Sequence, residues 1–142
     1  MTGQVARIDL CSGTATIVNA GHEPPLRLRD GHVETVELLA DPPFGIVRGH
    51  EYREQSLSLR AGDRLMFVTD GMLERNAANV DLSALMIEGA AMHPREAVQH
   101  VVLALLKAAD GELKDDATAM CVDWHGGPPR ERDTDSGADH LT

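Results

Sequence analysis

The sequence predicts an α+β fold in which antiparallel strands come first and helices follow as a separate group. Three observations carry this. β-prone runs separated by Gly-containing turns fill the first half of the chain. The apolar period then lengthens from two to helical spacing. A last apolar run, Ala117 to Trp124, returns as a strand after the helices. This order differs from the alternating strand–helix–strand pattern that builds a parallel sheet.

The elements read as follows. Gln4 to Leu10 and Ala15 to Asn19 flank Cys11-Ser12-Gly13-Thr14, the pattern of a β-hairpin. Pro25 to Arg29 alternates leucine with arginine, and Asp30-Gly31 turns it into a second run from His32 to Leu38. Asp41-Pro42-Pro43-Phe44-Gly45 is a breaker-rich loop. Tyr52 to Leu59 ends in alternation, and Ala61-Gly62-Asp63 turns into Arg64 to Thr69. That last run is nearly all apolar, as in a central strand covered on both faces. Asp81 to Glu88 predicts a short helix. Pro94 to Ala109 predicts a longer one with Val98, Val101, Val102 and Leu105 on its apolar face. Pro94 suits the first helical position and Gly111 the C-terminal stop.

The chain has 142 residues, enough for one domain with its own core. Residues 1–125 are expected to form that domain and 126–142 a disordered tail, which has too little apolar surface to offset chain entropy. The formal net charge of -10 disfavours binding to nucleic-acid phosphates. No apolar run reaches the roughly 18 residues of a membrane span, and no signal peptide is visible, so a cytoplasmic location is expected. The two cysteines, Cys11 and Cys121, have no CxxC spacing and read as buried thiols.

Two short segments suggest chemistry. In Thr69-Asp70-Gly71 a carboxylate leaves the end of a buried strand just before a glycine, where the backbone is expected to turn sharply. A carboxylate held on a rigid strand end is a good ligand for a hard cation. The same dipeptide is also a common turn, so alone it says little. In Lys114-Asp115-Asp116-Ala117-Thr118 two adjacent carboxylates open the last strand, and a cation would relieve their repulsion. For that pair taken alone, a solvated loop is the better explanation. Together they say more. Asp70 and Asp115 are 45 positions apart, yet each flanks an apolar strand. If those strands are neighbours, the carboxylates converge. Asn19 to Pro25 reads as a structural loop, with His22 a loop residue rather than a ligand. The other histidines have no HxxxH spacing, and no GxSxG elbow or phosphate-binding Gly-Lys loop is present.

Four segments occur in an order and spacing that resemble the SpoIIE-like branch of the PPM-type metal-dependent serine/threonine protein phosphatases. They are VNAGHEPPLRL (Val18 to Leu28), PPFGI (Pro42 to Ile46), GDRLMFVTDGMLERN (Gly62 to Asn76) and DDATAMCV (Asp115 to Val122). The resemblance implies a sandwich of antiparallel sheets flanked by helices, with two Mn²⁺ or Mg²⁺ ions at one edge. It implies direct hydrolysis of phosphoserine on a signalling regulator of the anti-sigma-factor antagonist type by water that the ions activate. Carried onto this sequence, Asp70 and Asp115 would be metal ligands, with Asp116 contributing and Gly71 beside the cofactor. Glu74 would have a loop role.

The family's GGD-type and GD-GHG-type metal-binding segments do not occur in this sequence. The expectation is therefore an N-terminally truncated version of the domain, whose three carboxylates fall short of the about six oxygens each hard cation takes. A non-catalytic, phosphatase-like interaction domain is the alternative. Strands left uncovered would also present edges, through which a homodimer is expected.

Overall fold

A computed structural model of the protein describes residues 1–73, 80–109 and 117–127. Seven strands and three helices follow in the order β1 (Gly3–Ile8), β2 (Thr14–Ala20), β3 (Leu26–Arg29), β4 (His32–Thr35), β5 (Gln55–Ser58), β6 (Arg64–Val68), α1 (Asp70–Leu73), α2 (Leu82–Glu88), α3 (Pro94–Ala108) and β7 (Ala119–Asp123). They form two antiparallel sheets, ordered β1-β2-β5 and β4-β3-β6-β7. The predicted α+β class and both hairpins are present.

The two hairpins turn for different reasons. Between β1 and β2, Asp9 ends the strand two residues earlier than the apolar pattern suggests. Its Oδ1 accepts hydrogen bonds from the backbone N–H groups of Cys11 (2.8 Å) and Ser12 (2.9 Å), so the chain curls before Leu10 can extend it. Cys11 is consequently exposed in the turn, which corrects its expected burial. Between β3 and β4, Asp30 and Gly31 both take the left-handed conformation, with φ of 49° and 75°. Two such residues make the tight turn whose twist matches its flanking strands. β4 stops at Thr35 rather than Leu38 because the next pair of the ladder, Pro25 opposite Val36, makes only one bond: the N–H of Val36 donates to the Pro25 carbonyl, and proline has no N–H to return.

The sequence alternation of β6 places it between two cores. Leu65 and Phe67 meet Ala15, Leu57 and Leu59 in the layer between the sheets. Met66 and Val68 face the other way and pack with Met72, Leu82, Met86, Val101 and Leu105 beneath the helices. The central-strand reading of this run therefore holds. On α3 the buried residues are Ala97, Val101 and Leu105, while Val98 and Val102 are half-buried. The buried stripe therefore runs through Ala97, Val101 and Leu105, with Val98 packed against the same core. Pro94 opens α3 as expected. The helix ends with Ala109 at the cap position, and Gly111 lies outside the described residues.

Arg64 joins the second sheet to the helical layer. Its guanidinium makes two bonds to the Asp123 carboxylate on β7 (2.6 and 2.8 Å). It also donates to the carbonyls of Gly89 (2.7 Å) and Met92 (2.6 Å) in the connection between α2 and α3. A buried charge is tolerable when its donors are used in this way.

Candidate functional site

Asp70 emerges where β6 ends. Its strand is interior to the four-stranded sheet, and its last pair with β7 is Val68 opposite Ala119. Thr69 prolongs the contact by three hydrogen bonds. Its N–H donates to the Thr118 carbonyl (3.1 Å), its Oγ1 accepts from the Thr118 N–H (2.9 Å), and that same hydroxyl donates to the Thr118 carbonyl (3.4 Å). The segments leading to Asp70 and coming from Asp116 are thereby fastened side by side.

The backbone turns sharply after Thr69, as the sequence suggests. It enters α1, whose first residue is Asp70, with the N–H of Met72 bonded to the Thr69 carbonyl (2.9 Å). The physical reason is Met72. At 2% exposure it is buried in the helical-side core, and a helical turn is what carries it there from β6. Turn propensity of Asp-Gly and that packing act together, since both residues lie inside the turn closed by the Met72–Thr69 bond. The outcome is an exposed Asp70 with Gly71 half-buried beside it, both on backbone anchored from two directions. Asp115, Asp116 and Glu74 lie outside the described residues.

Facing this strand end is the Asn19–His22 loop, which leaves β2 in the other sheet. Asn19 is 1% exposed. Its Oδ1 accepts the N–H of His22 (2.9 Å), and its carbonyl accepts the N–H of Asp41 (2.8 Å). The imidazole Nε2 of His22 lies 3.1 Å from the Val68 carbonyl oxygen. A carbonyl only accepts, so Nε2 carries the hydrogen. His22 thus links the two sheets at the root of Asp70. Sequence reasoning gave this loop a structural part but missed the reach of His22 to β6 and the clamp by Thr69. The only available signal was the clustering of polar groups beside two prolines.

Among the described residues two acids are buried, and their partners account for both. Asp41 accepts from the N–H and Nε of Arg53 (2.9 and 3.0 Å) and from Nε2 of His50 (3.2 Å). Asp63 accepts two bonds from Arg29 (2.8 and 2.6 Å) and one from the Arg60 N–H (2.7 Å). Asp63 precedes β6 at the end opposite Asp70. Among the described residues, no group of three or more His, Cys, Asp or Glu side chains could hold a metal ion. The carboxylate donors proposed by the sequence are all oxygen ligands, which fit a hard divalent cation and not a soft one.

This fold, with an acid leaving the centre of an antiparallel sheet, is that of the PPM phosphatase domains. The family description Stage II sporulation protein E (SpoIIE) matches residues 1–125, and the chain belongs to that family. It is 32% identical over 71 residues to the phosphoserine phosphatase RsbP of Bacillus subtilis (strain 168), covering 50% of this chain and 18% of RsbP. It is 29% identical over 113 residues to the phosphoserine phosphatase RsbU of the same organism, covering 75% of this chain and 34% of RsbU. A manganese-presoaked structure of the phosphatase domain of Bacillus subtilis SpoIIE superimposes with a TM-score of 0.72 at 21% identity, over 91% of this chain and 59% of that domain. The chain therefore spans only 18% of RsbP and 34% of RsbU.

Proposed function

We propose that this chain contributes Asp70, Asp115 and Asp116 to the metal centre of a phosphoserine phosphatase acting on a phosphorylated protein regulator. The observation that carries the reading is the Thr69–Thr118 clamp. It holds the strand ends adjoining Asp70 and Asp116 side by side. Asp115 and Asp116 precede Thr118 by only three and two positions in the sequence. The phosphoserine phosphatase relatives and the soaking of SpoIIE with manganese support the substrate class and a Mn²⁺ or Mg²⁺ cofactor.

Bound divalent ions would supply a water of lowered pKa and neutralise charge on the transferring phosphoryl group. The chain's own residues do the positioning. β6 and Met72 fix the backbone on either side of Asp70, and Gly71 keeps that backbone open to the cofactor. Three carboxylates cannot satisfy about six oxygens around each of two ions, so further ligands must come from other protein groups or water. The proposed unit is residues 1–125 with a dispensable tail, working in the cytoplasm in a sigma-factor pathway. No helix among the described residues is long and apolar enough to cross a membrane. Self-association through a sheet edge fits β1, an outer strand whose Val5 is 59% exposed.

Phosphate release from a phosphoserine peptide at millimolar Mn²⁺ tests the function. Little or no turnover by this chain alone is expected, and any that occurs should need the metal and disappear in Asp70→Asn. Turnover that survives chelation, or is unchanged in that variant, contradicts the assignment.

A further inference from the structure

We propose that His22 is a positioning residue for Asp70, supplying a hydrogen bond that the backbone of its own sheet cannot. The inference rests on the reading of Asp70 as a metal ligand. It starts from the register. In an antiparallel ladder successive residues direct their backbone polar groups to alternate sides. Thr69 directs its N–H toward β7, where it meets the Thr118 carbonyl. The carbonyl of Val68 therefore points the other way, toward β3. On that side the pairing ends with Leu26 opposite Met66. Continuing the register by two places Pro24 opposite Val68, and proline has no N–H to give. The His22 imidazole fills that position, with Nε2 3.1 Å from the Val68 oxygen.

The bond lies at the point of greatest leverage. The Val68 carbonyl belongs to the peptide that leads into Thr69, and the next residue is Asp70. Fixing that peptide plane fixes the direction in which α1 departs. His22 is itself held by a buried relay, since its N–H is bound by Asn19 Oδ1 and the Asn19 carbonyl is bound by Asp41. The relay has a cost. Asn19 Nδ2 and His22 Nδ1 are both buried without a hydrogen-bond partner among the described residues. Such atoms are few in native proteins and each calls for an explanation. Stability alone would favour a simpler loop. A demand on the placement of Asp70 explains why polar groups are kept here.

The test separates position from stability. The chain is prepared with His22→Gln, His22→Asn, His22→Leu and Asp70→Asn. The amide nitrogen of Gln reaches about as far as imidazole Nε2, whereas that of Asn is too short to reach Val68. Mn²⁺ affinity is read from the electron paramagnetic resonance signal of the free ion, and thermal midpoints are recorded in parallel. His22→Asn and His22→Leu are expected to weaken Mn²⁺ binding about tenfold, the scale of lost outer-shell support, while His22→Gln stays near the parent. A role in folding alone would lower the midpoints and leave the affinities of folded variants alike. If His22→Leu does not fold, the contrast between Gln and Asn decides. Equal affinity in Asn, Gln and parent, with binding lost in Asp70→Asn, overturns the positioning role and leaves the metal site standing. Parent-like binding in Asp70→Asn overturns the metal assignment itself.

Discussion

Asp63 shows how a buried acid is put to structural use. Burial pushes its carboxyl upward, but the two bonds from Arg29 and the Arg60 N–H outweigh that and hold it below the ordinary value of 3.8. A carboxyl depressed in the folded state contributes stability that is complete above its unfolded pKa. That stability is lost as pH falls through the folded value. Urea midpoints should therefore hold steady above about pH 5 and drop below pH 3.8, and Asp63→Asn should be flatter in that acid range. At neutral pH the same variant should lose about 2 kcal/mol, the worth of hydrogen bonds between charged groups. A variant with unchanged acid sensitivity would show that another carboxyl controls it. The cysteines separate as sharply. Burial raises the Cys121 thiol to about 11, whereas Cys11 stands exposed in the β1–β2 turn. A thiol reagent at pH 8 should modify Cys11 quickly and Cys121 only slowly, since the thiolate is the reactive form. Equal rates would contradict the placement of Cys121. The sequence could not separate them, because each lies in a similar apolar run and only the Asp9 turn decides which one surfaces.

At the scale of elements, legibility followed periodicity. The apolar run of β6 and the helical spacing of α3 were plain, because burial on two faces or on one stripe dictates composition directly. Strand ends were less plain. Asp9, the Val36–Pro25 bond and the burial of Met72 act through side chains or distant backbone, which periodicity does not record. The first turn depends on one glycine. Gly13 has φ of 73°, and a Cβ there would meet Nε1 of Trp124 at 2.9 Å. The N–H of Gly13 also donates to Asp9 and its carbonyl accepts from Leu59. Gly13→Ala must therefore bear a left-handed conformation and displace Trp124. A loss of at least about 2 kcal/mol is expected from denaturant midpoints, because the left-handed conformation alone costs about 1–2 kcal/mol and the Trp124 contact adds to it. A loss below 0.5 kcal/mol would show that the Trp124 ring gives way freely.

For the whole molecule, two sheets enclose one core and the second sheet shares another with the helices. That layering follows from the order of strands and helices in the chain. The candidate site was half legible. Asp70 stands where its motif suggested, at the end of a central strand, and the family resemblance matches the SpoIIE domain over residues 1–125. The supporting residues, His22 and Thr69, were hidden because their partners are 46 and 49 positions away. β7, which Asp115 and Asp116 precede in the sequence, pairs with β6, and the proposal that both acids converge with Asp70 on one metal site follows from that pairing. Paramagnetic broadening of amide signals by Mn²⁺ tests it most directly. Added Mn²⁺ should broaden Thr69, Asp70 and Gly71 together with Asp115 through Thr118, and Asp70→Asn should remove both effects at once. Broadening confined to one of these segments, or centred elsewhere on the acidic surface, would contradict a shared metal site.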